Sequence, residues 1–194
     1  MYILKIEGVI MIMTKLKIIR LGHPSLRKRS RSVKMHEIKT ESFQNFLNEL
    51  SELCIKFEGV GIAAPQVNVN KRIIVVHVDP KNSRYKDRNE YPLTIVINPK
   101  IIQLSNALQN DWEGDLSCDL RAPVPRAINC KVIGLDRDCN QIELTLNDPF
   151  HARVFQHEID HLNGILLLDR VKQKDTISEI PEWKKFWKDK NIEN

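Results

Sequence analysis

The stretch QHEIDHLNG, residues 156–164, places two histidines four residues apart with a glutamate directly after the first. On a helix, residues four apart lie on the same face, so His157 and His161 present their imidazoles to one point. Glu158 is rotated by about 100° around the helix axis, which lets it reach a water beside a metal rather than the metal itself. The pattern therefore predicts metal-assisted hydrolysis.

Solvent-exposed histidines on an ordinary helix are the simpler alternative for this motif. Against it, Phe150, Val154 and Leu162 lie near the same helix face as the two histidines, which points the imidazoles toward the protein interior. Buried imidazoles without a partner are costly, and a metal ion would satisfy them.

The motif does not identify its own third ligand. A metzincin-like pattern would place a third histidine at position 167, where the chain has Leu167, which cannot bind metal. A thermolysin-like pattern would use a later glutamate, and Glu179 and Glu182 lie at a suitable distance but flank Pro181 in a short polar segment. Neither downstream pattern supplies a strong ligand.

The elements around the motif favour an α+β fold. Apolar residues at helical spacing predict a helix over residues 40–57, capped by Thr40, and a second helix runs from Pro149 to Leu162, capped by Asp148. Short strands are predicted for RIIVVHV (72–78), LTIVIN (93–98), KIIQLS, CKVIGLD, IELTLN and ILLLDRV (165–171), and a last short helix for PEWKKFWKDK. Strands and helices do not alternate, so we expect mostly antiparallel short sheets around a central HExxH helix.

Length and composition indicate one domain over residues 1–194. Residues 1–13 are interpreted as a disordered segment or an overcalled start, and residues 172–194 as a helical tail. No apolar run is long enough to span a bilayer, and the four cysteines lack framework spacing, which favours reduced thiols in the cytoplasm. The net charge of +5 is compatible with a partner surface rich in RNA, such as the ribosome, although solubility alone explains it as well.

Two further motifs lie upstream. GVGIAAPQ, residues 59–66, combines small residues, which allow close backbone approach, with the amide of Gln66. WEGDLS, residues 112–117, places a carboxylate at an expected junction of loop and strand. The ordered set GVGIAAPQ, EGDLS and QHEIDHLNG, together with LGHPSLR, RAPVPR and the sequence around the last motif, resembles the peptide deformylases over roughly residues 18–171.

The resemblance implies an α+β metalloenzyme that removes the formyl group from the N-terminal methionine of nascent chains and releases formate. It implies one divalent metal ion, Fe²⁺ first, with Zn²⁺, Ni²⁺, Co²⁺ or Mn²⁺ as alternatives. The implied partners are N-formylmethionyl nascent peptides, and neither a membrane nor a specific nucleic acid is expected.

The resemblance also carries roles over to particular residues. His157 and His161 match the metal-binding histidines, and Glu158 matches the general base. The groups that stabilise the oxyanion match the side-chain amide of Gln66 and the backbone N–H of Leu116.

Substrate contacts are implied in the same way. The backbone positions that hold the peptide extended match Val60, Gly61 and Gly114. The pocket for the methionine side chain is expected to be bordered by Val60, Phe150, Val154 and His157.

The chain departs from the family pattern at the third ligand. The family has a cysteine between Gly114 and Leu116, where this chain has Asp115. Two histidines and a carboxylate also form metal sites, but a carboxylate is harder than a thiolate, so we expect a more weakly held metal and reduced activity. Cys118, beside Asp119 where the family has Pro-Gly, is a second candidate ligand.

Three hypotheses follow. The first is a deformylase-type amide hydrolase. The second is a deformylase-like protein that binds N-terminal peptides with little or no turnover, although Glu158 and Gln66 argue against a pure binder. The third is a zincin-type endopeptidase, which would leave the first two motifs unexplained.

Overall fold

The computed structural model describes residues 3–6, 9–12, 16–85 and 87–188. The remaining residues of the predicted N-terminal segment and the last six residues of the predicted tail lie outside this description.

The fold combines antiparallel strands with a few helices. The strands are β1 (Ile3–Ile6), β2 (Val9–Ile12), β3 (Gly61–Ala63), β4 (Ile73–Val78), β5 (Tyr91–Leu104), β6 (Leu108–Asp115), β7 (Cys118–Ala127), β8 (Cys130–Leu135), β9 (Gln141–Leu146) and β10 (Ser178–Glu179). The α-helices are α1 (Met35–Ile38), α2 (Glu41–Lys56), α3 (Pro149–Leu162), α4 (Leu167–Arg170) and α5 (Ile180–Phe186). Short 3₁₀ turns occupy Pro24–Arg27, Ala64–Val67 and Lys174–Thr176.

Three sheets organise the described residues. A five-stranded sheet has the order β3-β4-β5-β8-β9, a three-stranded sheet has the order β10-β7-β6, and β1 pairs with β2. The strand pairs in all three sheets are antiparallel. This architecture is the α+β arrangement with antiparallel sheets that the sequence predicts.

Strand β4 lies between two helices, and this explains its uninterrupted apolar sequence. Ile74 and Val76 pack on the side of α3, whereas Ile73 and Val75 pack on the side of α2. Because successive side chains of a strand point to opposite faces, a strand covered on both faces needs apolar residues at every position. Each such side chain stabilises the fold by about 1.5–3 kcal/mol.

Both predicted helix caps are present. The Thr40 hydroxyl accepts a hydrogen bond from Phe43 N at 3.3 Å at the start of α2. Asp148 Oδ1 accepts hydrogen bonds from Phe150 N at 2.8 Å and His151 N at 3.1 Å at the start of α3. From Phe150 to its last residue, helix α3 is buried throughout.

The prediction of a strand over residues 165–171 is wrong, because Leu167–Arg170 forms helix α4. The Asp169 carboxylate accepts a hydrogen bond from Leu166 N at 2.8 Å, which fixes the first turn of the helix. Leu167 and Val171, four residues apart, pack together in a small apolar cluster with strand β7. A short apolar run fits either structure, and here the local carboxylate favours the helix.

The two strands predicted for LTIVIN and KIIQLS form one continuous strand, β5, with two shifts of register. At the join, Asn98 adopts a left-handed φ of 54°. Its side chain accepts from Val33 N at 2.8 Å and donates to Val33 O at 2.9 Å. These two bonds attach β5 to Val33 at Asn98, a residue whose left-handed backbone is otherwise typical of a turn.

The hairpin of β6 and β7 extends well beyond the junction predicted at residues 112–117. Strand β7 contains Pro123 and Pro125, which lie opposite Trp112 and Asn110 of β6. Proline cannot donate a hydrogen bond to a neighbouring strand. It is accommodated here because β10 pairs with β7 only at Leu120 and Arg121.

The predicted C-terminal helix is present as α5, and its tryptophans pack on the β6–β7 hairpin. The ring centroids of Trp183 and Trp187 lie 6.1 Å and 5.8 Å from that of Trp112. Within the described ranges, no helix combines the length and the apolar character that crossing a membrane requires.

Candidate metal centre and active-site cleft

Helix α3 brings the two histidines of the HExxH motif together inside the protein. His157 and His161 are both buried, and their Nε2 atoms lie 3.2 Å apart. The helix supplies the spacing, and its burial keeps both rings out of bulk solvent.

Asp115, the last residue of β6, faces these histidines. Its Oδ2 lies 3.3 Å from His161 Nε2 and 4.0 Å from His157 Nε2. The three side chains offer ligand atoms that all lie within 4.8 Å of one another. The other carboxylate oxygen, Oδ1, accepts hydrogen bonds from Gln66 Nε2 at 2.9 Å and Ser117 N at 2.7 Å. One oxygen is therefore held by the protein, and the other is left for the histidines.

The electrostatics of Asp115 favour its ionised form. Burial alone would raise the pKa of this carboxyl, but the charge and hydrogen bonding of His161 hold it well below its usual range. The carboxylate is thus present as an anion at neutral pH, the form that could bind a cation.

Glu113, two residues before Asp115 on the same strand, orients His157. Its Oε2 lies 2.9 Å from His157 Nδ1, and a hydrogen on Nδ1 leaves Nε2 free to bind a cation. Burial alone would lower the pKa of His157, but the bond to Glu113 raises it to about 9. Sequence reasoning missed Glu113, although side chains two apart on a strand share a face.

Two buried arginines complete this arrangement. Arg126 donates two hydrogen bonds to Glu113, and Arg153 donates one at 2.7 Å. Burial alone would raise the pKa of Glu113, but Arg126 and His157 hold it well below its usual range. A fixed carboxylate behind His157 is therefore part of the site.

The donor set fits a divalent cation. Two imidazole nitrogens and a carboxylate oxygen converge, and this is a donor set that binds divalent cations in proteins. His161 Nδ1 is buried without a hydrogen-bond partner among the described residues, and the contacts of this ring with His157 and Asp115 are made through Nε2. Nitrogen and oxygen ligands of this kind suit iron, zinc, nickel, cobalt or manganese.

Glu158 lies beside this group with one oxygen unsatisfied. Its side chain is buried, and its Oε2 has no hydrogen-bond partner among the described residues. A Cβ added at Gly61 would overlap the Glu158 carboxylate, so a larger residue there would force the Glu158 side chain to move. Burial raises the pKa of Glu158 to about 7, a value suited to accepting and returning a proton near neutral pH.

Gln66 is oriented by the backbone. Its Oε1 accepts a hydrogen bond from Ala63 N at 2.8 Å, which turns Nε2 toward Asp115 Oδ1. The amide expected to face a substrate oxygen therefore also holds the third ligand candidate. Leu116 follows Asp115 in the two-residue turn of the β6–β7 hairpin.

A cleft of about 610 Å³ opens over the site. Its walls include the predicted catalytic and substrate-contacting residues, namely Val60, Gly61, Gln66, Gly114, Leu116, Phe150, Val154 and Glu158. Asp115 and His157 reach the cleft, whereas His161 lies behind them. The structure thus places these side chains and backbone positions around one opening.

The alternative ligands do not join this group, although Cys118 lines the same cleft. Cys118 is buried in the apolar cluster that contains Leu167, and burial raises its pKa to about 11. Glu179 is exposed on β10, opposite Leu120. Among the residues that the structure describes, the group able to hold a metal consists of Asp115 with the two histidines.

Comparison with known proteins agrees with this geometry. Residues 15–176 match the family described as polypeptide deformylase. The "Peptide deformylase 2" of a Nostoc species is 42% identical, over 84% of this chain and 90% of the relative. The "Peptide deformylase" of Leptospira biflexa is 38% identical, over 80% of this chain and 87% of the relative.

Solved structures give the same result. The Met-Ala-Ser-bound class I type b peptide deformylase of Acinetobacter baumannii superposes with a TM-score of 0.78 at 35% identity, covering 82% of this chain and all (100%) of the other. The Thermotoga maritima peptide deformylase superposes with a TM-score of 0.69 at 32% identity, covering 80% of this chain and 97% of the other. With its ordered motifs, its cleft and these relatives, the chain belongs to the polypeptide deformylase family.

Proposed function

We propose that this chain removes the N-formyl group from the N-terminal methionine of newly synthesised polypeptides. The observation that carries the proposal is the convergence of Asp115 Oδ2, His157 Nε2 and His161 Nε2 beside Glu158 and Gln66 in one cleft. In the reaction, the oxygen of water adds to the formyl carbon, the carbon–nitrogen bond breaks, and formate and a free α-amino group are released.

Asp115, His157 and His161 are the residues that we assign to one divalent metal ion, with Fe²⁺ first and Zn²⁺, Ni²⁺, Co²⁺ or Mn²⁺ as alternatives. When bound, such an ion supplies Lewis acidity that polarises a carbonyl and lowers the pKa of a water molecule. The chain contributes the position of the ligands. Glu113 fixes the ring of His157, and Gln66 and Ser117 N fix the carboxylate of Asp115.

Glu158 is assigned the proton transfers. It accepts a proton from the attacking water and gives it to the nitrogen that leaves as the amine. Its raised pKa suits both halves of this task, because a carboxylate that titrates near neutral pH is basic enough to accept and acidic enough to return.

Gln66 and Leu116 are assigned to the negative charge that develops on the formyl oxygen. Leu116 contributes its backbone N–H. Gln66 contributes a side-chain amide that donates to Asp115 Oδ1 at 2.9 Å and, over a longer distance of 3.4 Å, to Ser117 Oγ; the hydrogen of this longer contact would turn to the formyl oxygen. Donors fixed in advance in a buried site stabilise such charge by about 3–4 kcal/mol each.

The peptide is proposed to lie extended along Val60, Gly61 and Gly114. Its methionine side chain would enter the apolar part of the cleft beside Val60, Phe150, Val154 and His157. Phe150 itself is held by Tyr85, whose ring centroid lies 5.3 Å away. Helix α3 supports this assignment because it supplies both the histidines and this wall of the pocket.

The proposed setting is the cytoplasm, where nascent chains carry the formyl group, with the whole chain acting as one domain. The four cysteines are free thiols, as expected in a reducing compartment. Nascent formylmethionyl peptides are the proposed partners, and the net charge of +5 makes the ribosome surface a candidate for a second contact.

The test is a paired measurement of metal content and kcat/KM on formyl-Met-Ala-Ser, with protein purified without oxygen. We expect about one metal per chain, turnover that chelators abolish and metal restores, and formate as product. Peptide binding with a full metal site but no formate would instead identify a peptide-binding protein without activity.

A further inference from the structure

Arg121 lines the cleft, but the proposed hydrolysis does not use it. Three arginines are buried in the described residues, namely Arg121, Arg126 and Arg153. Arg126 and Arg153 both pair with the carboxylate of Glu113. Across the described ranges, no carboxylate oxygen lies within 4.0 Å of the Arg121 guanidinium.

The guanidinium of Arg121 is poorly satisfied by the protein. It is 7% exposed, and its hydrogen bond within the described chain runs from one terminal nitrogen to Tyr85 Oη at 3.3 Å. Its Nε is buried and has no hydrogen-bond partner there. A buried charge without a counter-charge is costly, so this position is suited to an anion that comes from outside the chain.

Neighbouring groups add donors rather than acceptors. The indole nitrogens of Trp112 and Trp183 are also buried without a hydrogen-bond partner among the described residues. The Trp183 ring lies 5.2 Å from Arg121 Cζ, and Trp112 lies against Trp183. Arg121 and Trp112 line the cleft, and Trp183 packs against both of them. Three N–H donors without partners in the described chain thus lie together at this wall, and a carboxylate offers the acceptors that they lack.

The position of Arg121 puts this wall along the proposed path of the peptide. Arg121 pairs with Gly114 across the hairpin, and a Cβ added at Gly114 would lie 2.5 Å from Arg121 Cζ. An extended peptide advances by about 3.3 Å per residue, so its second and third residues lie within about 7 Å of the methionine.

Part of this wall lies outside the family match. Residues 15–176 match the deformylase family, whereas Ser178 of β10 pairs with Arg121, and Trp183 of α5 covers its guanidinium. The C-terminal segment therefore adds a feature to the cleft that the matched region alone does not contain.

We propose that Arg121 binds the side-chain carboxylate of an acidic residue at the second or third position of the formylmethionyl peptide. Trp183 holds the plane of the guanidinium, and Arg121 makes the chain selective for peptides with Asp or Glu at one of these positions. This proposal rests on the proposed function, because it places the peptide along Gly114.

The experiment compares peptide pairs that differ only in charge. The metal-loaded protein is given the amides of formyl-Met-Ala-Glu and formyl-Met-Glu-Ala, each beside its glutamine counterpart. We expect one glutamate peptide to exceed its partner by about tenfold in kcat/KM, mainly through KM, since a charge-assisted hydrogen bond remote from the reacting atoms contributes to binding. Arg121→Gln should abolish this preference. The matched control, Lys184→Gln, removes one exposed positive charge beside Trp183 and should preserve it.

If the wild-type protein has equal kcat/KM values for the glutamate amides and their glutamine counterparts, the proposal is overturned without any variant. A preference that survives Arg121→Gln, or one that Lys184→Gln also removes, would overturn it as well. A gain for formyl-Met-Ala-Gln as a free acid, without a gain for the glutamate amides, would assign Arg121 to a terminal carboxylate and overturn the side-chain proposal.

Calorimetry with the amides of Met-Ala-Glu, Met-Glu-Ala and their glutamine counterparts separates this proposal from the proposed function. Tighter binding of a glutamate peptide that depends on Arg121, in a protein that releases no formate, would support the role of Arg121 and reject deformylation. Formate release with no preference for glutamate peptides, either in the kinetics or in the calorimetry, would support deformylation and reject the role of Arg121.

Discussion

Gln66 Nε2 donates a hydrogen bond to Asp115 Oδ1 at 2.9 Å, while Asp115 Oδ2 faces the two histidines. A cysteine at this position would offer one sulfur atom, whereas the carboxylate has a second oxygen that accepts from the protein. The aspartate therefore links the amide proposed to stabilise the oxyanion directly to the proposed metal centre.

Gln66→Ala should weaken metal binding as well as turnover. Loss of a partner that orients a metal ligand costs about 10–100-fold in affinity, and loss of an oxyanion donor costs about 10²–10³-fold in kcat. Metal retention during dialysis against a chelator and kcat on formyl-Met-Ala-Ser measure the two effects. Ser117→Ala is the control, because it removes only the longer 3.4 Å contact to Gln66 and keeps the backbone bond to Asp115. Equal effects of the two variants would contradict this role of Gln66.

Asp115→Cys should bind zinc or iron(II) more tightly than the wild type and lose it more slowly to chelators. Thiolate is softer than carboxylate, so the wild type should favour harder ions such as manganese by comparison. The variant also frees the Gln66 amide, and we expect its kcat/KM to rise. If the wild type has a kcat/KM as high as that of its relatives and the cysteine variant has a lower kcat/KM, the site is adapted to aspartate.

Glu158→Ala should keep its metal and lose turnover by about 10²–10⁴-fold, since the residue is assigned to proton transfer and not to coordination. Metal analysis and single-turnover kinetics on the same preparation test this. Metal lost in proportion to activity would make Glu158 a ligand instead.

Glu113→Gln should destabilise the fold and weaken metal binding. The change leaves Arg153 buried beside a neutral partner and Arg126 paired with Asp160 alone, and breaking a buried ion pair costs about 3–5 kcal/mol. Urea denaturation of the metal-free proteins measures this free energy of unfolding. The exposed pair of Lys131 and Glu143 provides the control, because Glu143→Gln should cost at most about 1 kcal/mol. Similar losses of unfolding free energy in Glu113→Gln and Glu143→Gln would contradict the stabilising role of the buried pairs of Glu113.

Formyl-Met peptides should react much faster than the matching acetyl-Met peptides. The extra methyl group of the acetyl substrate has no room if its carbonyl lies between Gln66 and the histidines. Rates of amine release on the two substrates test this expectation. Comparable rates, or cleavage of internal peptide bonds, would favour the zincin-type endopeptidase that the HExxH motif alone also allows.

Local chemistry explains which elements the sequence predicts well. Thr40 and Asp148 cap α2 and α3 through contacts with residues two or three positions away, so the helix starts are visible in the sequence. By contrast, β5 passes through Asn98 only because this residue bonds to Val33, which is 65 positions away. Residues 165–171 show the limit of an apolar pattern, which does not distinguish a buried strand from a short helix.

The sequence by itself determined the two histidines and the glutamate of the site, because four-residue spacing on a helix fixes their relative positions. Only the tertiary structure placed Asp115 against them, since strand β6 and helix α3 are distant in the chain and meet through packing. It also decided that Glu113 faces His157, that Cys118 lies in an apolar cluster, and that Arg121 is buried under Trp183 without a carboxylate in the described chain. The physical reason is that helical periodicity acts over a few residues, whereas burial and charge pairing depend on which distant segments share an interior.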